Sequence, residues 1–172
     1  MTTRPGHTEA AEYYFTYIDR VPDGDICARL ETQGREVLAL LHAVPDGRSR
    51  HRYAPDKWSL RELLGHLSDT ERLCAARAFW FARGFDTPLP SFDQHVAVAA
   101  AGADERPWPD LLAEFAELRR VTVTFFRSLP APAWDRRGVA SGKSVTVRAL
   151  AWVAAGHVTH HIDIVQARYL ER

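Results

Sequence analysis

A chain of 172 residues with 46% hydrophobic and 26% charged side chains is long enough to bury its own core, and it reads as one globular domain, residues 1–172. Its 22 basic and 22 acidic side chains cancel, which argues against nucleic-acid binding carried by bulk charge. No apolar run of about 18 residues exists, so no membrane span is expected. The first residues lack an apolar stretch followed by a cleavage site, so no secretory signal is expected either. Cys27 and Cys74 sit far apart in helix-like apolar patterns and read as buried free thiols of a reducing cytoplasm.

Residues 1–24 read as an N-terminal extension. Within 9–20 an aromatic group (Tyr13, Tyr14, Phe15, Tyr17) fits a short helix packing on the main body, ended by the turn Pro22-Asp23-Gly24. Asp25 can cap a helix running to about residue 43, with Ile26, Leu30, Val37, Leu38 and Leu41 as its apolar stripe. Gly34 weakens that helix without stopping it. Val44-Pro45-Asp46-Gly47 ends it, and a polar link over 48–56 leads to a capping box. There Ser59 is the N-cap, Glu62 reaches back to its amide, and Trp58 can staple onto Leu63. This second helix passes through Leu64, His66, Leu67, Leu73, Cys74 and Phe81 to Arg83-Gly84, roughly 36 Å of helix.

The stretch 85–107 is a long connection, extended at Thr87-Pro88-Leu89-Pro90 and with a short helical turn over 96–101. A third helix starts around Pro109, a residue suited to the first helical position. It carries Leu111, Leu112, Phe115, Leu118, Val121, Thr122, Phe125 and Phe126 on one broad face before Leu129-Pro130-Ala131-Pro132 stops it. Residues 136–143 read as a polar loop, and Thr146 can cap a last helix over about 147–170. Val145-Thr146-Val147 alternates but is too short to count as a strand. Four long amphipathic helices with a long crossover between the second and third predict an all-α four-helix bundle. The crossover frees those two helices from being simple antiparallel neighbours.

The last helix carries the densest chemistry. Ala155-Gly156-His157-Val158-Thr159-His160-His161-Ile162-Asp163-Ile164 places three histidines among five consecutive residues of an apolar segment. Positions four apart stack on one face, so His157 and His161 can converge on one point. Helical geometry also allows an i, i+3 pair of His157 and His160. Neutral imidazole is a ligand for zinc, nickel, iron or copper. Bundles build cofactor sites from inward-facing side chains on different helices, which makes His66 in the second helix the candidate third ligand. Three nitrogens leave positions open for water or substrate, the pattern of a catalytic site. The plain alternative is a set of ordinary hydrogen-bonded histidines, since the HxxxH pair lacks the glutamate of HExxH.

Three segments together resemble one family. They are Trp58-Ser59-Leu60-Arg61-Glu62-Leu63-Leu64-Gly65-His66-Leu67-Ser68-Asp69-Thr70-Glu71, then Phe92-Asp93-Gln94, then Ala155-Gly156-His157-Val158-Thr159-His160-His161, in the order found in the DinB/YfiT-like superfamily. The resemblance implies an up-down-down-up bundle and a divalent metal, nickel or zinc foremost, held by His66, His157 and His161. It implies a metal-dependent enzyme of the low-molecular-weight-thiol S-transferase or hydrolase type, with bacillithiol, mycothiol or glutathione as the thiol, a small-molecule substrate and a homodimer. Two positions depart from the pattern: His95 stands where an acidic residue is expected, and Val158 replaces a frequent glutamate.

For the chemistry, such a metal can bind a thiol sulfur and lower its pKa, or polarise a water. Asp69, one turn past His66, is the candidate for a base or an imidazole-orienting group, against its plain reading as an exposed helix carboxylate. Arg136, Arg137 and Lys143 can meet a carboxylate of an anionic thiol or simply form a solvated loop. Trp58, Trp80, Trp108, Trp134 and Trp152 can line a pocket, though large aromatics are usually core. The rival reading is a non-enzymatic metal-binding stress-response protein.

Overall fold

The long helices start where side chains can satisfy their free amides. The structure, a computed structural model, describes residues 3–170. Asp25 accepts from the amides of Cys27 and Ala28 at the start of α2 (Ile26–His42), after the short α1 (Glu12–Ile18). Both bonds of the expected capping box form at α4 (Leu60–Ala82), beyond a one-turn α3 (Asp46–Ser49). Asp93 caps α5 (Gln94–Ala101), so the crossover helix begins two residues earlier than the pattern 96–101 suggests. α6 (Trp108–Arg127) has Pro109 in its first turn, and a one-turn α7 (Ala131–Trp134) follows. Thr146 caps α8 (Val147–Ile164), whose end widens into a π turn over Val165–Leu170 where the sequence predicts continuous α-helix.

The contacts between helices fix their directions. Glu31 meets Arg127 at 2.7 Å while Gln33, further along α2, meets the earlier Arg119 at 2.9 Å, so α2 and α6 are antiparallel. Arg61 reaches the carbonyl of Arg106 and Glu71 reaches Arg119, so α4 and α6 run parallel. Tyr169 donates to the carbonyl of Trp58 and His66 meets His157, so α4 and α8 are antiparallel. The bundle is therefore up-down-down-up, and the parallel middle pair is what the crossover through α5 makes possible. No described helix is long and apolar enough to cross a membrane.

One expectation is corrected. The segment read as a polar loop and a too-short alternation forms a hairpin, β1 (Arg137–Ala140) paired antiparallel with β2 (Lys143–Thr146). Ser141 and Gly142 both take left-handed backbone angles, φ 53 and 71, the twist that a two-residue hairpin turn requires. The hairpin also bridges outward, Ala140 to Leu89 in the crossover and Val145 to Ala10 before α1. It thereby ties both chain connections to one end of the bundle.

The apolar interior falls into two parts. One gathers Ile18, Leu30, Phe81, Phe126 and Trp152; the other gathers Leu41, Leu60, Leu64, Phe115 and Val158. Between them lies a polar layer. Arg119, 3% exposed, donates to both oxygens of Glu71, to the carbonyl of Leu30 and to Gln33 Oε1. Gln33 in turn donates to the carbonyl of Ala155 at 2.8 Å and to Thr159 Oγ1 at 2.9 Å. All four long helices thus join one hydrogen-bonded chain.

Candidate metal centre

The polar layer continues into the histidines. His66 on α4 is 2% exposed and His157 on α8 is 6% exposed, while His161 is half-buried one turn further along α8. His66 Nε2 and His157 Nε2 face each other at 3.0 Å, and one ring nitrogen from each of the three histidines lies within 4.8 Å of the others. The structure therefore brings together the three side chains that the sequence singles out. Gln33, bonded to Ala155 and Thr159, grips α8 on either side of His157 and sets how that helix is turned. Gly156 serves the same end: a Cβ there would overlap the carbonyl of Tyr17, so only glycine lets α1 lie this close to α8.

The donor set fits a divalent cation. Two facing ring nitrogens at this distance can share only one proton, and His66 Nδ1 is buried without a partner. Burial pushes His66 down to about 4, helped by the charge of His95, and pushes His161 down to about 3. It holds His157 well below the ordinary range, with His161 and His66 adding to the effect. All three are neutral at physiological pH, the form that ligates a borderline-soft metal such as zinc or nickel.

The same shifts set an acid sensitivity. Above pH 6.5 neither folded nor unfolded His66 carries a proton, so it contributes no pH dependence. As pH falls from 6.5 to about 4 the unfolded chain takes up the proton and the folded chain does not, so stability drops through that window. For His66 the loss amounts to about 3 kcal/mol. Urea midpoints of metal-free protein at pH 7.5 and 4.5 should differ by at least that much, and a profile shallower than wild type in His66→Ala, with the share of His157 and His161 remaining, identifies the group.

Two cavities reach the cluster from opposite sides. The larger, about 530 Å³, is lined by His66 and His157 together with Tyr13, Tyr17, Thr70 and Arg77. The smaller, about 240 Å³, is lined by His161, His95, Trp58, Leu63 and Tyr169. Trp58, expected against Leu63, lies over His66 with 4.8 Å between rings. His95 is exposed and packs on Trp58 at 5.7 Å. His160 packs on Tyr17 at 5.7 Å and stands outside the three-nitrogen set.

Asp69 binds Arg72 at 3.2 Å and is not among the residues lining either cavity. Arg136 is occupied with the carbonyl of Ala82 at the end of α4, while Lys143 stands exposed at the rim of the larger cavity. Trp108, Trp134 and Trp152 belong to the core. Sequence reasoning passed over Thr70 and Arg77. The available signal was spacing, because His66, Thr70, Leu73, Cys74 and Arg77 recur on one stripe of α4.

An up-down-down-up bundle with three imidazoles converging in its interior defines a recognisable class of helical protein. Residues 29–165 match the model of the DinB superfamily, and the chain belongs to that superfamily. No curated protein gives a significant match. Among solved structures, YfiT from Bacillus subtilis, described as a probable metal-dependent hydrolase with an unusual four-helix bundle topology, superposes with a TM-score of 0.74 at 17% identity. That match covers 95% of this chain and 89% of YfiT. A mycothiol-dependent maleylpyruvate isomerase superposes with a TM-score of 0.69 at 14% identity, over 84% of this chain and 60% of the isomerase. A DinB-like protein from Bacillus subtilis gives 0.60 at 20% identity, over 84% of this chain and 88% of that protein. At these identities the likeness is one of fold.

Proposed function

We propose that this protein is a metal-dependent enzyme in which His66, His157 and His161 hold a divalent cation, zinc or nickel, and that it transfers a low-molecular-weight thiol to a small electrophile. The observation that carries the proposal is the convergence of three neutral ring nitrogens, two of them (His66 and His157) on the wall of a cavity large enough for a small molecule. A bound divalent cation supplies Lewis acidity that holds a thiol as thiolate at neutral pH. The histidines stay neutral, fixed by Gln33 and by burial. Tyr17, kept protonated by burial and by the hydrogen bond with Tyr13 at 3.1 Å, offers a phenol donor beside the ligand.

Two features favour thiol transfer over hydrolysis, the activity suggested by the likeness to YfiT. Among the residues lining the two cavities the carboxylates are Asp56 and Asp93. Asp56 pairs with Lys57 at the surface, and Asp93 spends its Oδ1 on the amides of His95 and Val96, so each carboxylate already has a structural duty. The protein's own sulfur is also disqualified: burial pushes the Cys74 thiol up to about 12, so a reactive thiolate must come from a co-substrate. In the reaction the thiol loses its proton, a carbon–sulfur bond forms, and the leaving group departs with the electron pair of the bond it breaks. Homodimerisation is part of the proposal, with Phe79, Val121 and Phe125 as an apolar face on α4 and α6. So is a reducing cytoplasmic setting for the free Cys27 and Cys74.

The test is turnover of 1-chloro-2,4-dinitrobenzene by zinc- or nickel-loaded protein with bacillithiol, mycothiol and glutathione in parallel. Product formation is expected with at least one thiol and is lost on chelation. Fully metal-loaded protein that turns over none of them overturns the transferase reading and leaves metal sequestration in its place.

A further inference from the structure

Among the described residues three arginines are buried, and two of them have a carboxylate partner. Arg61 pairs with Asp46 and Arg119 with Glu71, each at 2.7 Å. Arg77, 6% exposed, differs. Its Nη2 donates to the carbonyl of Pro90 at 2.8 Å and to Ser141 Oγ at 2.9 Å, both neutral acceptors, and its Nε is buried with no partner. A guanidinium taken out of water without a counter-ion costs several kcal/mol, so a partner for it is to be sought outside the chain.

Its location says what that partner does. Arg77 lies on the wall of the larger cavity, on the same stripe of α4 as His66, with about 16 Å between their Cα positions at the helical rise. Between them Thr70 Oγ1 is a second buried polar atom without a partner, and Lys143 adds positive charge at the rim. We infer that this cavity seats an extended, carboxylate-bearing ligand, its anionic end on Arg77 and its reacting end at the histidine cluster. The placement of the reacting end rests on the thiol-transfer reading above; the carboxylate seat does not. A carboxylate fits better than a phosphate. The helix start on this wall, that of α5, is already taken by Asp93, so the amide cradle that phosphates favour is filled. Both Nη2 protons are spent on Pro90 and Ser141, so a ligand carboxylate meets this guanidinium through Nη1 and through its charge.

Calorimetric titration of metal-free protein with 6-mercaptohexanoate, 6-mercaptohexanol and thiol-free hexanoate tests this without any turnover. Both carboxylates are expected to bind at least about tenfold more tightly than the alcohol, the size of one charge-assisted pair. Arg77→Met should erase that preference, and Arg77→Lys, which keeps the charge, should retain part of it. Circular dichroism checks that the variants fold; should Arg77→Met not fold, the wild-type preference and Arg77→Lys decide. Equal binding of acid and alcohol, or a preference that survives Arg77→Met, overturns the inference. A carboxylate preference in a protein that turns over no thiol supports the seat while removing the proposed reaction. Turnover that is indifferent to both the ligand's charge and Arg77 does the reverse.

Discussion

Replacing Arg119 with alanine is expected to destabilise the protein by about 3–5 kcal/mol, the cost of leaving a buried ion pair half-made. The substitution strands the Glu71 carboxylate and Gln33 Oε1 at once, both buried away from water. A loss of that size is a large fraction of the stability of an ordinary domain. Arg119→Met combined with Glu71→Leu removes both charges and fills the volume, so the double variant should cost less than Arg119→Ala alone. Urea unfolding of the three proteins measures both statements. A single-variant cost under about 1 kcal/mol would mean that water enters the layer and that the network is not the brace described above.

The second large effect concerns the metal. Wild-type protein purified without chelator is expected to carry about one divalent ion per chain, and His66→Ala essentially none, because two imidazoles on a single helix leave the site open on the α4 side. Saturating ion at about a hundred times its dissociation constant adds roughly 2.7 kcal/mol to folding stability, and this increment should vanish in the variant. The metal-free proteins should differ only by the imidazole's packing and its Nε2 bond to His157, a difference that added zinc does not change. Elemental analysis and paired thermal melts with and without added zinc give the answer. Unchanged metal content in His66→Ala sinks the three-histidine site.

How much of this could be read from the sequence depends on the range of each interaction. Ser59 and Glu62 find each other three residues apart, and Asp25 finds its amides two and three residues on, so these two helix starts were legible to the residue. His157 and His161 likewise obey a rule local to one helix. Their partnership with His66 spans 91 positions, and there the pattern offers only that all three lie on apolar faces; family resemblance selected the set. The Arg119 network was invisible for the same reason. Arg119 and Glu71 look like surface charges within amphipathic helices, and only the parallel α4–α6 pairing turns them toward one another. Gly34 was legible as a weak point in α2 but not as the gap that accommodates Arg119, whose Cγ would stand 2.8 Å from an added Cβ. The hairpin escaped because its strands are four residues each, too short for alternation to register, although Ser141-Gly142 is a turn pair that could have flagged it.

The short helix α1 precedes the segment that matches the family model, yet Tyr13, Tyr14 and Tyr17 help to wall the cavity in front of His66 and His157. Phe15 and Ile18 keep that helix seated in the core, while Tyr13 looks outward. Two duties are thereby parcelled out to different stretches of chain. If the three histidines hold an ion, that duty falls to the segment matched by the family model, while α1, ahead of that segment, helps to shape the cavity. Substitution of the outward Tyr13 is therefore a way to alter the wall of that cavity without touching a histidine.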